Sequence, residues 1–227
     1  MIGKDLWRRM KGCGAVWEHS GDPRAPHVAL RGDKHSDGFI DTLRFLSDTD
    51  NRANAAELLI TRLNSKYFED IDWVFGSPMA GIPFATTLAG CFNHNVNLGF
   101  TEKVNEKDLI CRFEIEPGQS VLMVEEMTTT GATPQRAIDA ILKKNPEAQI
   151  LDTVVAFLVR CEDRPPELAG RELLSLISLP HLGVNYHEWE PNNCPLCQQG
   201  SRVIKNCKRV WGDLLKTMKD SAHHIPD

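Results

Sequence analysis

Between Ile71 and Leu179 the chain alternates short apolar runs with helix-length stretches, and this alternation restricts the fold more than any other feature. The segments 71–76, 96–101, 120–124, 150–159 and 173–179 read as buried strands, and 150–159, rich in β-branched residues, gives the strongest strand signal. Helices are expected over 82–92 and 134–144, with Pro83 and Pro134 in their first turns, where a missing N–H costs nothing. Another helix is expected over 49–66. There Ala53, Ala56, Leu59, Ile60 and Leu63 recur at helical spacing, and Asp48 or Asp50 can cap the start. Strand–helix alternation of this kind calls for right-handed βαβ units, hence an α/β fold with a central, mainly parallel sheet flanked by helices.

The flanks are less regular. A short helix near 3–11 is followed by a loop rich in glycine and proline to residue 26. Two extended pieces, 27–30 and 38–45, surround a polar turn at 31–34. The stretch 104–118 is charged and shows little apolar pattern. Beyond Pro180 the alternation stops, and 206–219 reads as a C-terminal helix with Val210, Leu214, Leu215 and Met218 on one face.

Composition narrows the class. A formal net charge of −5 argues against a general nucleic-acid binder. No apolar region follows the charged start, and no run approaches the roughly 20 apolar residues of a membrane span. The 7 cysteines are odd in number and scattered, which fits reduced thiols and a cytoplasmic location better than a disulfide framework.

In an open parallel sheet, ligands bind beyond the carboxyl ends of the strands. The strand at 120–124 runs into Glu125 and Glu126, and Thr128, Thr129, Thr130, Gly131, Ala132 and Thr133 follow before a helix. Backbone N–H groups and hydroxyls at a helix N-terminus bind phosphate, and carboxylates beside them suit sugar hydroxyls or a ligand-borne magnesium ion. No Gly-x4-Gly-Lys-Ser/Thr phosphate loop is present.

Val-Leu-Met-Val-Glu-Glu-Met-Thr-Thr-Thr-Gly-Ala-Thr at 121–133 resembles the signature for 5-phosphoribosyl 1-diphosphate (PRPP) of the type I phosphoribosyltransferases. In that family the acids contact the ribose and the loop wraps its 5-phosphate. The family's second acid is usually aspartate, where this chain has Glu126. Gly-Ser-Pro-Met-Ala-Gly at 76–81 resembles the pyrophosphate loop, and Leu-Arg-Gly-Asp-Lys-His-Ser at 30–36 resembles the base-binding segment of orotate phosphoribosyltransferases. Gly-Phe-Thr-Glu-Lys at 99–103 resembles the start of that family's mobile catalytic loop, although no histidine follows before Ser120. Arg160, at the end of a strand, stands where the family pairs an arginine with orotate.

The resemblance covers roughly residues 27–201 and implies one domain over 1–227. Its core would span about 48–179, with a small hood formed by the N-terminal segment 1–47 and the C-terminal segment 180–227. It implies synthesis of orotidine 5′-monophosphate and diphosphate from orotate and PRPP, with Mg2+ arriving on PRPP. Lys103, Lys107, Glu125 and Glu126 would be catalytic. PRPP would be held by Ser77, Pro78, Met79, Ala80, Gly81, Lys103, Glu125, Glu126 and the residues Thr128, Thr129, Thr130, Gly131, Ala132 and Thr133. Orotate would be selected by Arg31, Lys34, Thr129 and Arg160, and Arg112 is a further candidate cation. A homodimer is implied, with loop 102–118 completing the neighbouring site; neither nucleic acid nor membrane is an expected partner. A transferase for another base, or a non-catalytic regulator on the same fold, is the alternative.

Cys194-Pro-Leu-Cys197 stands apart. It supplies two of the four ligands a zinc site wants, and His181, His187 and Cys207 are near in sequence. A similar Cys-Pro-Leu-Cys followed by glycine occurs near the end of some orotate phosphoribosyltransferases, so the reading is structural and no metal is assigned. His223 and His224 read as part of a solvated tail.

Overall fold

The computed structural model describes residues 2–63, 71–105 and 108–218, Arg31 by its backbone alone. In chain order the elements begin with α1 (Ile2–Gly12), β1 (Val16–Glu18), β2 (His27–Ala29), β3 (His35–Ser36), β4 (Gly38–Ile40), α2 (Thr42–Leu46) and α3 (Thr49–Arg62). Next come β5 (Trp73–Gly76), α4 (Gly81–Ala89), β6 (Asn97–Lys103), β7 (Leu109–Cys111), β8 (Ser120–Thr128), α5 (Ala132–Lys144), β9 (Gln149–Val159) and β10 (Glu172–Ser178). The last are α6 (Leu179–Leu182), β11 (Glu188–Trp189), α7 (Pro195–Gln198), β12 (Val203–Ile204) and α8 (Trp211–Lys216). The chain divides into two compact units, a larger one of residues 1–7 and 45–184 and a smaller one of 8–44 and 185–227. Among the described residues no helix is long and apolar enough to cross a membrane.

The larger unit is built on a six-stranded sheet of order β10-β9-β8-β5-β6-β7. All neighbours run parallel except the β6–β7 pair. The first five residues of β8, Ser120 to Val124, are all buried, the pattern of a parallel strand covered on both faces. Val121 and Met123 pack with Phe75, Val154 and Ala156, and α5 adds Ala137, Ile138 and Ile141 at helical spacing. Gly99 allows a close approach: a Cβ there would lie 2.3 Å from the Phe75 ring. Asp48 caps α3 by accepting the Asn51 N–H at 2.9 Å. The expected end of that helix, 64–66, lies outside the described residues.

Three differences from the sequence reading have local causes. The 104–118 stretch contains β7, which pairs antiparallel with β6 (Thr101 opposite Cys111); among its described residues only Cys111 and Ile115 are buried, too few to mark a strand by pattern. The extended piece expected over 38–45 stops at Ile40. The Asp41 carbonyl accepts the Arg44 N–H at 3.0 Å, and the chain turns into α2. The C-terminal helix is shorter than expected. Asn206 takes a left-handed conformation (φ 53°), a 3-10 turn follows over Cys207–Val210, and only then does α8 begin. Its buried face is Trp211 and Leu214, while Val210 is exposed.

The smaller unit contains the antiparallel ribbon β1–β4 and a four-stranded sheet of order β11-β3-β2-β12. Trp17, Val28, Cys207, Trp211 and Leu214 form its core. Trp211 keeps its polar atom satisfied by donating to the Gly14 carbonyl at 2.8 Å, and its ring meets Phe39 edge-on at 5.5 Å. The residues considered as partners for Cys194 and Cys197 are engaged elsewhere: His187 bonds Asp37 at 2.7 Å, Cys207 is in the core, and His181, in the larger unit, faces Asp163 at 3.6 Å. Cys194 and Cys197 adjoin His27 and His35 instead.

Candidate active site

The strand order reverses between β5 and β8. From β5 the chain passes to β6 on one side, and from β8 it proceeds to β9 and β10 on the other. Such a switch point opens a crevice at the carboxyl ends of the two strands. Gly76 is level with Val124, and the Ser77 N–H donates to the Val124 carbonyl at 3.0 Å. Loops 77–81 and 129–131, with the acidic end of β8, therefore leave the sheet side by side. On the other side of β5, Gly76 is level with Phe100, which sets Thr101 beside Ser77.

Three polar atoms at these strand ends, Ser77 Oγ, Thr101 Oγ1 and Glu125 Oε2, are buried without a hydrogen-bond partner. Buried polar groups are normally satisfied, and these three stand on three adjacent strands at the carboxyl end of the sheet, where a ligand can reach them. Thr101 was not singled out in sequence, although it closes a strand and lies within the Gly-Phe-Thr-Glu-Lys motif at 99–103.

Glu125 is 4% exposed. Burial, and after it the charge of the neighbouring Glu126, push its pKa up to about 8, against the opposing pull of the nearby Ser77 hydroxyl, the Glu126 N–H and the Lys103 charge. Glu125 Oε1 accepts the Glu126 N–H at 3.0 Å, and Glu126 itself is half-buried. β8 runs on through both acids to Thr128, so the carboxylates stand on rigid strand rather than on a loop.

The N-cap residues of α4 and α5, Ala80 and Gly131, offer no side-chain cap. In the first turns Ile82 N–H meets the Met79 carbonyl and Ala132 N–H the Thr130 hydroxyl; the positive ends of the helices favour an anion. Gly81 opens α4 close to β8, where a Cβ would sit 3.2 Å from the Val124 carbonyl. Ahead of it the Pro78–Met79 peptide bond is cis and Met79 is exposed. Before α5, Thr128 Oγ1 accepts the Gly131 N–H at 3.0 Å and Thr130 Oγ1 accepts the Ala132 N–H at 3.3 Å, which folds the loop back. Gly131 has φ +87°, and a Cβ there would lie 2.8 Å from Leu168 Cγ, so the turn requires glycine twice over. Thr129 is exposed at the tip, and Thr133 Oγ1 accepts from Arg136 at 3.3 Å.

Lys103 ends β6, exposed, with its charge felt at Glu125. Arg112 is ion-paired with Glu102, and Lys107 lies outside the described residues. Arg160 follows β9, its N–H bonded to the Thr128 carbonyl at 3.0 Å. The larger unit therefore gathers 77–81, 125–133, Lys103 and Arg160 at one end of its sheet. Arg31 and Lys34 belong to the smaller unit, in the turn between β2 and β3, which is closed by the Leu30 N–H on the Lys34 carbonyl at 2.7 Å.

A switch-point crevice with a threonine loop and paired acids, on this strand order, is the fold of the type I phosphoribosyltransferases. The orotate phosphoribosyltransferase of Aeropyrum pernix superposes with a TM-score of 0.61 at 23% identity, over 78% of this chain and 98% of that one. In sequence the chain is 30% identical over 182 residues to the orotate phosphoribosyltransferase of Caldicellulosiruptor saccharolyticus, covering 79% of this chain and 86% of that protein. It is 28% identical over 200 residues to that of Nitratiruptor sp., covering 84% and 95%. No protein-family model matches. The chain belongs to the orotate phosphoribosyltransferase family.

Proposed function

We propose that this protein transfers the 5-phosphoribosyl group of PRPP to a ring nitrogen of orotate, giving orotidine 5′-monophosphate and diphosphate. The observation that carries the reading is the meeting of loop 77–81, loop 129–131 and the acidic end of β8 at one switch point. Glu125 and Glu126 orient the ribose by accepting its hydroxyls. Thr128 to Thr133 and the start of α5 hold the 5-phosphate, and Ser77 to Gly81 with the start of α4 hold the diphosphate. Lys103, with Lys107, neutralises charge as the diphosphate departs. Catalysis of this kind rests on positioning and on electrostatic stabilisation of the leaving group. Thr129 and Arg160 are the base-selecting residues of the larger unit, and Arg31 and Lys34 those of the smaller. A carboxylated pyrimidine suits cationic donors.

The unpartnered Glu125 Oε2 and the adjacent Glu126 are oxygen donors of the hard type that fits Mg2+. When bound with PRPP, the ion supplies charge neutralisation at the diphosphate. The protein acts in the cytoplasm as a homodimer. Val104 and Ile110, exposed at 61% and 43% near the β6–β7 connection, support an interface there.

The test is orotate- and Mg2+-dependent consumption of PRPP with stoichiometric diphosphate release. PRPP binding without turnover on orotate would point to another base or a regulator. Normal turnover by a Glu125→Ala, Glu126→Ala double variant would sink the site assignment.

A further inference from the structure

In the smaller unit, His27, His35, Cys194 and Cys197 bring one ligand atom each into a group whose members all lie within 4.8 Å of one another. His27 Nε2 is 3.5 Å from Cys194 Sγ, 3.5 Å from Cys197 Sγ and 3.1 Å from His35 Nδ1. Cys197 Sγ is 3.2 Å from His35 Nδ1. A tetrahedral zinc site has Zn–S near 2.3 Å and Zn–N near 2.0–2.1 Å, which sets N–S edges at about 3.5 Å and N–N edges at about 3.3 Å. The His27–Cys194 and His27–Cys197 edges have that length, and the His27–His35 and Cys197–His35 edges are a few tenths of an ångström shorter.

The protons agree. Ser201 Oγ lies 2.6 Å from the Ala25 carbonyl and 2.8 Å from His27 Nδ1. A carbonyl only accepts, so the Ser201 hydroxyl spends its proton on Ala25 and must accept from His27 Nδ1–H. The proton of His27 is thereby fixed on Nδ1, and Nε2 points a bare lone pair into the group. Orientation of a ligating imidazole through its other nitrogen is the usual support of a metal-bound histidine.

The backbone holds the donors independently. His27 and His35 are set by pairing of β2 with β3, where Ala29 is level with His35. β12 runs parallel to β2, with Val203 level with His27. The two cysteines bracket the first turn of α7, where Gln198 N–H meets the Cys194 carbonyl at 3.2 Å and Gly200 N–H meets the Cys197 carbonyl at 3.0 Å. His27 and Cys194 are fully buried and His35 nearly so.

We infer that His27, His35, Cys194 and Cys197 form a Cys2His2 site for Zn2+ that ties the β2–β3 hairpin to the segment around α7. Two thiolates and two imidazoles at tetrahedral spacing select zinc over hard cations. Four protein ligands leave no open position, so the site is structural and takes no part in the transfer reaction. The inference does not depend on the proposed activity.

Metal content of the full-length protein, purified from zinc-containing medium, tests this together with Co2+ titration of chelator-stripped protein. Expected are zinc in equimolar amount and, with Co2+, the intense ligand-field absorption of a tetrahedral site with thiolate-to-cobalt charge transfer. Cys197→Ser and His35→Ala should abolish the equimolar zinc and that spectrum, whereas Cys13→Ser, at an exposed thiol outside the group, should leave both intact. The cobalt spectrum of the unmutated protein decides the matter even if a variant fails to fold. Only the weak absorption of octahedral cobalt, or equal zinc in the His35→Ala variant, would overturn the assignment.

Discussion

Replacing Glu125 with glutamine separates its charge from its shape. The carboxyl is 4% exposed, and burial followed by the Glu126 charge raises its pKa from 4.5 to about 8. An acid whose folded-state pKa is raised stabilises the fold while protonated. That stabilisation is complete below pH 4.5 and is lost progressively as the pH climbs to about 8. At about 1.36 kcal/mol per unit, the span corresponds to about 5 kcal/mol. Glutamine keeps the side-chain volume and does not titrate. Its stability relative to the parent should therefore increase with pH across this window and level off above it, as read by thermal melts in matched buffers. Ligand uptake should respond in the opposite sense, because ribose hydroxyls donate to the ionised form. With a pKa of about 8, the ionised fraction rises from roughly one tenth at pH 7 to roughly nine tenths at pH 9, so PRPP with Mg2+ should bind about tenfold tighter at the higher pH. Calorimetry without orotate measures this free of turnover, and the glutamine variant should bind more weakly and without that dependence. Parallel melting profiles, or pH-independent PRPP binding by the parent, would refute the reasoning.

Gly131→Ala puts a side chain at φ +87° and 2.8 Å from Leu168 Cγ; a loss of about 1–3 kcal/mol in chemical denaturation is expected, with weaker PRPP binding. Lys103→Ala, at an exposed position, should leave the melting temperature unchanged and lower kcat about 10²–10³-fold in steady-state assays, with little change in PRPP affinity. Arg160→Ala should raise KM for orotate about ten- to a hundredfold, the value of a charge-assisted hydrogen bond, while KM for PRPP moves far less. Equal effects on both substrates would argue against a base-selecting role.

The parallel core was legible because a strand buried on both faces is a continuous apolar run, and β5, β8 and β9 are such runs. β7 was not, since an antiparallel edge strand with one buried residue leaves almost no pattern among charges. The phosphate loop was legible because its threonines and glycine serve local geometry; Thr128 and Thr130 bond backbone within three residues of themselves. The raised pKa of Glu125 was not legible, because the burial that causes it is a tertiary property. Nor was the histidine half of the metal group. The Cys-x-x-Cys spacing is local, but His27 stands 167 residues before Cys194, and only the hairpin and β12 bring them together.

The division of the smaller unit into two distant stretches of chain bears on how the protein is made. Trp17 and Thr217, 200 residues apart, share a hydrogen bond, and Trp211 closes on Gly14. On the ribosome, residues 45–184 are synthesised before any of the second stretch. Through that interval Trp17 and Val28 have no Trp211 or Leu214 to cover them. Apolar surface made early is thus sheltered late, and it stays open to chaperones or to a neighbouring chain until the second stretch arrives.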